Sequence, residues 1–259
     1  MGRLQYAAVF IPTGKLLYRW YQMDETVAVR KLVLLPGMDG TGKLFRTFIE
    51  ALPQSYEARP VSYPNDRPRT YSELAELVVK RLPRSEPFVL LAESFSTPLA
   101  IQIAAGNPAG LKALILVAGF ATNPSYPWLP WFGSLLLPGR MRLRLPDLVV
   151  RRVLLGPAAS RDFLNDVRKA LLSMSPEVFS SRLDSIFNCD SHDALSRVGV
   201  PILYLQATKD RVVPPRCLDE MLAIKPEISM AQIDGPHLLL QREPEKSAEI
   251  IARFIQQHR

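Results

Sequence analysis

The chain has 259 residues, 47% hydrophobic and 22% charged, with a formal net charge of +7. That length can bury a large core and suits one α/β domain with an insertion better than two independent domains. No apolar run approaches the ~18 residues of a spanning helix, Met1-Gly2-Arg3-Leu4 opens no secretory leader, and Cys189 and Cys217 make neither a metal spacing nor a disulfide framework, so a reduced, cytoplasmic setting is expected.

Residues 4–11 and 16–22 read as two strands around a turn at Pro12-Thr13-Gly14-Lys15. Residues 31–35 form a short apolar strand that runs into Pro36-Gly37-Met38-Asp39-Gly40-Thr41-Gly42, and an amphipathic helix follows over 44–52. A strand is expected at 57–62, then a Pro-rich loop from Tyr63. Thr70 or Ser72 starts a helix over 71–82, with Leu74, Leu77, Val78 and Val79 as its apolar positions. Residues 88–91 are an apolar strand and 97–105 an Ala-rich helix, with Pro98 near its first turn, where a missing N–H costs nothing. Further strands fall at 111–118, 201–206 and 228–233, and a terminal helix at 244–257 packs Ile250, Ile251 and Phe254 on one face. Strands alternating with helices at this spacing imply a doubly wound, mostly parallel sheet.

The alternation breaks at 119–197, a stretch punctuated by Pro124, Pro127, Pro130, Pro138, Pro146 and Pro157, with helix-like segments at 160–174 and 176–187. The expected organisation is a core of 1–118 and 198–259 with a helical cap of 119–197 inserted after the strand that follows the helix at 97–105. Trp128, Trp131 and Phe132 in the cap are candidate substrate-pocket residues that favour an apolar group; the alternative is that they pack the cap onto the core. Arg140, Arg142, Arg144, Arg151 and Arg152 lie within thirteen residues with one acid, Asp147. They read as a solvated helical face, with weak contact to an anionic membrane surface through the cap as a minority reading. Their neighbours are aliphatic and no nucleic-acid motif accompanies them, so no nucleic-acid partner is expected.

The residues that carry chemistry lie at strand ends. Ser94 sits in Ala92-Glu93-Ser94-Phe95-Ser96 between a strand and a helix, flanked by small residues at −2 and +2. That is the arrangement of a nucleophile elbow, where the helix folds back so tightly that bulky neighbours would clash. The competing reading is a serine at a helix N-cap. Asp210 and His237 each follow a later strand, so the order is Ser, Asp, His; Asp190, Asp193 and Asp234 compete for the role of acid. The glycines after 35 are not a phosphate-binding loop, because Gly42-Lys43 is followed by Leu44. They suit an oxyanion loop, with the backbone N–H of Met38 and that of Phe95, the residue after the serine, as donors; the competing reading is a plain glycine turn. Asp39 reads as a turn residue.

Together, Leu35-Pro36-Gly37-Met38-Asp39-Gly40, the Ser94 pentapeptide, Thr208-Lys209-Asp210-Arg211-Val212-Val213-Pro214 and Gly235-Pro236-His237 resemble the α/β-hydrolase superfamily, specifically its small serine esterase or lipase-like members with a cap insertion. The resemblance covers nearly the whole chain and is weakest at 119–197. Ala92 and Ser96 replace the usual glycines, and Leu-Pro-Gly stands where many relatives have His-Gly. The glycine loop is also similar to the hydrolase-like part of plant phytyl-ester and diacylglycerol acyltransferases. The resemblance implies a serine carboxylic-ester hydrolase acting on uncharged short- to medium-chain esters through an acyl-enzyme. Ser94 would be nucleophile, His237 base and Asp210 acid, with a small-molecule ester as partner and no metal or organic cofactor. The alternatives are an acyltransferase that uses the same triad with an alcohol acceptor, and a non-catalytic ligand-binding member of the fold.

Overall fold

The computed structural model describes residues 29–84, 86–124 and 146–258, together with the backbone of 6–10 and 16–20. Tyr6–Phe10 (β1) and Leu16–Trp20 (β2) pair antiparallel as a separate two-stranded sheet, Tyr6 opposite Trp20. The main sheet is built from Lys31–Leu35 (β3), Glu57–Pro60 (β4), Phe88–Glu93 (β5), Leu111–Val117 (β6), Ile202–Ala207 (β7) and Ser229–Ile233 (β8). Its order is β4-β3-β5-β6-β7-β8 and every pairing is parallel.

The central strands β3, β5, β6 and β7 are short and almost continuously apolar, the pattern of a sheet covered on both faces, whereas the edge strands β4 and β8 are more polar and largely exposed. Successive side chains go to opposite sides. Val33, Leu35, Leu90, Ala92, Leu114 and Leu116 join one core cluster, while Leu32, Leu34, Val89, Leu91, Ile115 and Val117 join the other. Arg46–Ala51 (α1) packs on the second face. Tyr71–Val79 (α2) and Thr97–Ala105 (α3) pack on the first. Complete burial of one such Leu or Val contributes roughly 1.5–3 kcal/mol, so the two-sided sheet is the rigid part of the molecule.

Between β6 and β7 the described chain is helical: Asp147–Val150 (α4), a π-helical turn at Arg151–Leu155, Arg161–Leu172 (α5), Pro176–Phe187 (α6) and His192–Ser196 (α7). Ser160 and Ser175 begin α5 and α6 by accepting the N–H of Phe163 at 3.1 Å and of Val178 at 3.3 Å. Arg216–Ile224 (α8), Leu239–Arg242 (α9) and Pro244–Gln257 (α10) complete the chain. No helix among the described residues is long and apolar enough to cross a membrane.

Two elements end earlier than their apolar patterns suggest. The helix expected over 71–82 stops at Val79 and tightens into turn bonds, Arg81 N–H to Val78 O at 2.8 Å and Leu82 N–H to Val79 O at 3.3 Å. Pro83 follows, and the residue before a proline is pushed out of the helical region. The strand expected over 57–62 ends at Pro60, which lacks an N–H and sits on the sheet's edge strand, where that loss is tolerated.

Candidate active site

Ser94 stands where β5 meets α3, with φ of 50°, in the left-handed region. A residue with a Cβ pays on the order of 1–3 kcal/mol to stay there, and holds only if its surroundings over-determine it. They do. The Thr97 hydroxyl lies 2.8 Å from the Ser94 carbonyl and 2.9 Å from the Phe120 carbonyl, and accepts the Phe120 N–H at 2.9 Å. Tyr204 on β7 donates to the Gly119 carbonyl at 2.7 Å and accepts the Gly119 N–H at 3.1 Å. A Cβ on Gly119 would lie 2.7 Å from Thr97 Cβ, so glycine is what lets β6 leave the sheet alongside the elbow. The ends of β5, β6 and β7 are thereby tied side by side.

The small residues flanking Ser94 are both fully buried. Ser96 also works as a joint: its hydroxyl donates to the Pro36 carbonyl and accepts the Tyr63 hydroxyl at 2.6 Å. Tyr71 donates to the Phe95 carbonyl at 2.7 Å. The loop after β3 is therefore fastened to the elbow.

Ser94, His237 and Asp210 form one hydrogen-bonded line. His237 Nε2 is 2.8 Å from Ser94 Oγ, and Nδ1 is 2.8 Å from Asp210 Oδ2. The other Asp210 oxygen accepts the N–H groups of Val212 at 2.7 Å and Val213 at 3.0 Å, which fixes the carboxylate's orientation. With Nδ1–H donating to Asp210, Nε2 is left as the acceptor for the serine proton. Burial alone would push the imidazole down, but the Asp210 carboxylate, with a smaller contribution from Glu93, more than offsets it and the net shift is upward. The competing acids lie elsewhere. Exposed Asp234 accepts from Thr208 Oγ1 at 2.9 Å and Lys209 Nζ at 2.8 Å, Asp190 accepts the His192 N–H at 3.0 Å, and Asp193 is exposed on α7.

The strand register places Leu35 opposite Ala92, so Pro36-Gly37-Met38 leaves β3 beside Glu93-Ser94-Phe95. The loop turns through a Gly40 N–H to Gly37 O bond of 3.0 Å. Asp39 is a turn residue, its Oδ1 accepting both the N–H of Thr41 at 2.8 Å and the Thr41 hydroxyl. The Met38 N–H has no acceptor among the described residues. Phe95 lies in the first turn after the strand, where backbone N–H groups lack intrahelical partners. Both N–H groups thus have donor capacity beside Ser94.

Several residues at the site carry no motif. Glu93, directly before Ser94, is 2% exposed; burial pushes its carboxyl up to about 7. Gln241 Nε2 donates to its Oε2 at 3.1 Å, while Oε1 has no partner among the described residues. Arg182 on α6 donates to the Met38 carbonyl, 144 residues away in sequence, at 2.7 Å. The available signal was weak: Val178, Arg182 and Ile186 share one helical stripe, and an arginine there interrupts an apolar face. The helices between β6 and β7 also reach the histidine loop: Leu238 packs with Val150, Leu155, Leu164 and Val167, and donates its N–H to the Leu154 carbonyl at 3.2 Å. Trp128, Trp131 and Phe132, named as pocket residues, lie outside the described residues, as do Arg140, Arg142 and Arg144. Arg151 and Arg152 lie in the π-helical turn, where Arg151 donates to the Ala159 carbonyl. Among the described residues no three His, Cys, Asp or Glu side chains gather as a metal site would require.

Comparison with known proteins identifies the family and the fold. A model described as the alpha/beta hydrolase family matches residues 32–250. A pimeloyl-[acyl-carrier protein] methyl ester esterase of Neisseria meningitidis is 23% identical over 205 residues, 73% of this chain and 78% of the relative. N-formylmaleamate deformylase of Pseudomonas putida is 26% identical over 169 residues, 58% of this chain and 56% of the relative. The crystal structure of a hydrolase from Pseudomonas aeruginosa superposes with a TM-score of 0.73 at 18% identity, covering 98% of both chains, a likeness of fold.

Proposed function

This chain belongs to the alpha/beta hydrolase family, and on that premise we propose that it is a serine carboxylic-ester hydrolase working through an acyl-enzyme. The observation that carries the reading is the unbroken line from Ser94 Oγ through His237 to Asp210, with both hydrogen bonds at 2.8 Å. Ser94 Oγ attacks the ester carbonyl carbon while His237 Nε2 takes its proton. Asp210 holds the imidazole in the accepting tautomer and stabilises the imidazolium. The N–H groups of Met38 and Phe95 receive the carbonyl oxygen as it becomes an oxyanion. Collapse breaks the C–O bond to the alcohol, which leaves with the proton from His237. A water then gives its proton to His237 and attacks the acyl carbon; collapse breaks the bond to Ser94 Oγ, which takes the proton back from His237 as the acid is released.

The name of the N. meningitidis relative, a methyl ester esterase, supports an ester carbonyl as the reacting group. In this reading 119–197 is a cap, supported by the contacts of its described part with both the oxyanion loop and Leu238. The preferred substrates are uncharged esters of short to medium chain. The test is turnover of p-nitrophenyl esters from acetate to palmitate by wild type and Ser94→Ala, with fluorophosphonate labelling. Turnover lost in the variant and label on Ser94 are expected; label on Ser96, or full turnover in Ser94→Ala, refutes the assignment.

A further inference from the structure

We propose that Arg182, on the inserted helix α6, is a positioning residue for the oxyanion hole: it holds the Met38–Asp39 peptide so that the Met38 N–H stays aimed at the reacting oxygen. The inference rests on the hydrolase reading above and deepens it.

Arginine is normally a surface residue that keeps its head in water. Arg182 is 2% exposed, and no ion pair to it occurs among the described residues. Its Nη1 donates to the Met38 carbonyl at 2.7 Å and contacts Met174 Sδ at 3.0 Å, and its Nη2 donates to Asn65 Oδ1 at 2.8 Å. A buried guanidinium is tolerated only where its donors are used; here one is used on the loop carbonyl of Met38 and the others on Met174 and on Asn65, which itself reaches the loop. The loop is shaped to admit it: Gly40 has φ of 68°, and a Cβ there would lie 2.7 Å from both Nη1 and Nη2. The Cζ atom also stands 5.8 Å from the ring centroids of both Tyr63 and Phe95. Phe95 supplies the second oxyanion donor through its backbone N–H, so the guanidinium bonds the loop that carries one donor and lies over the ring of the residue that carries the other.

Asn65 backs the arrangement from the other side. Its Nδ2 donates to Ser173 Oγ at 3.1 Å and reaches the Asp39 carbonyl at 3.5 Å, while its Oδ1 receives Arg182. Two successive loop carbonyls, of Met38 and Asp39, are thus held by an amide and a guanidinium that are themselves joined. By covalent geometry the Met38 nitrogen lies within about 6 Å of Nη1, so the fixed positive charge also sits close to where negative charge develops. Burial lowers the guanidinium's affinity for its proton, the nearby Asp39 carboxylate opposes that, and it stays charged at any working pH. A direct substrate-carboxylate anchor is not what this side chain offers, because it presents almost no surface. The rival is a plain cross-link between insertion and core, which would affect stability alone.

The test uses wild type, S94A, R182M, R182K and N65A, each checked for folding by thermal melt. It reads kcat and KM on p-nitrophenyl butyrate, the rate of fluorophosphonate labelling and the pH profile. Removing an oxyanion donor costs about 10²–10³ in kcat, so misplacing one is expected to cost about 10- to 100-fold. R182M should show that loss with KM within about threefold. Labelling should slow in parallel, since the phosphoryl oxygen enters the same hole, and the pH midpoint should stay, since the His237–Asp210 pair is untouched. R182K, which keeps the charge and one donor, should recover part of the loss. N65A should show a smaller kcat loss at unchanged KM. Folded R182M with wild-type kcat and labelling overturns the proposal; if R182M does not fold, wild-type kcat in both R182K and N65A does the same. Wild type without turnover, or S94A with full turnover, overturns the hydrolase reading and this inference with it.

Discussion

Asp210→Asn isolates the tautomer argument. Asparagine has one oxygen and one NH2 where aspartate has two oxygens. Asp210 Oδ1 accepts two backbone N–H groups, from Val212 and Val213, and Oδ2 accepts Nδ1–H of His237. An asparagine that keeps the backbone contacts must turn its NH2 toward Nδ1, so Nδ1 loses its proton to Nε2 and can no longer leave Nε2 free to accept from Ser94. The flipped amide restores the imidazole but strands two buried N–H donors against an NH2. At about 1–3 kcal/mol for each unsatisfied donor, flipping costs roughly 2–6 kcal/mol, or about 30- to 10⁴-fold at 1.36 kcal/mol per decade. Loss of the imidazolium's negative partner adds to this. The expected fall in kcat is about 10³–10⁵, bracketing the ~10⁴ of the serine-protease precedent. The assay is kcat on one p-nitrophenyl ester for the Asn variants of Asp210, Asp190, Asp193 and Asp234, with folding followed by circular dichroism. Near-wild-type turnover in Asp210→Asn alongside collapse in another variant would refute the reasoning. The pH profile supplies a second sign. His237 must be neutral to act, and its pKa is raised in the fold, so wild-type activity should fall as pH drops through a midpoint above about 6.5. Residual activity in Asp210→Asn should have its midpoint at lower pH.

Glu93→Gln tests the buried carboxyl behind the serine. The folded protein holds that proton up to about 7 against an ordinary value of 4.5, so stability declines as pH rises between them and is level above. The gap corresponds to about 3 kcal/mol, and the variant should melt with less pH dependence between pH 5 and 8; an unchanged dependence counts against it. Gly119→Ala should lower the melting temperature by several degrees, from overpacking of about 1–3 kcal/mol against Thr97, and reduce kcat with it; differential scanning calorimetry checks the first, and an unaltered melt would contradict the packing argument. Trp128→Ala and Trp131→Ala should change chain-length preference more than turnover of acetate, read from the same ester series. Product analysis with added alcohol separates hydrolysis from acyl transfer, and hydrolysis products alone are expected.

The parallel sheet and the strand-end placement of Ser94, Asp210 and His237 were legible because they depend on local patterns. Apolar runs of strand length, a serine between small residues and two polar residues just beyond later strands each announce themselves within a few positions. What was hidden depends on chain segments far apart in sequence. Arg182 looks like an ordinary charge in a twelve-residue helix until that helix is laid over Gly40. Glu93 is an unremarked residue beside the serine of the elbow until burial removes its water. The fine boundaries were missed for chemical reasons, Pro83 shortening α2 and Pro60 ending β4. The short helices α4, α7 and α9 carry too few apolar repeats to stand out, whereas α8, with Cys217, Leu218 and Met221 buried on one face, carries a stripe that was legible.

The hydroxyl at position 96 constrains how this chain can vary. Glycine is the usual occupant of that place in the elbow, and on steric grounds either residue suits it. Yet Ser96 passes one hydrogen to the Pro36 carbonyl and receives one from Tyr63, so each hydroxyl depends on the other. Ser96→Gly alone would leave a buried phenol and a buried carbonyl without partners, while Tyr63→Phe beside it would remove half of that deficit. The two positions are therefore epistatic. A lineage carrying serine here reaches the glycine form at least cost by way of the phenylalanine, and the order in which the two substitutions occur matters as much as their identity.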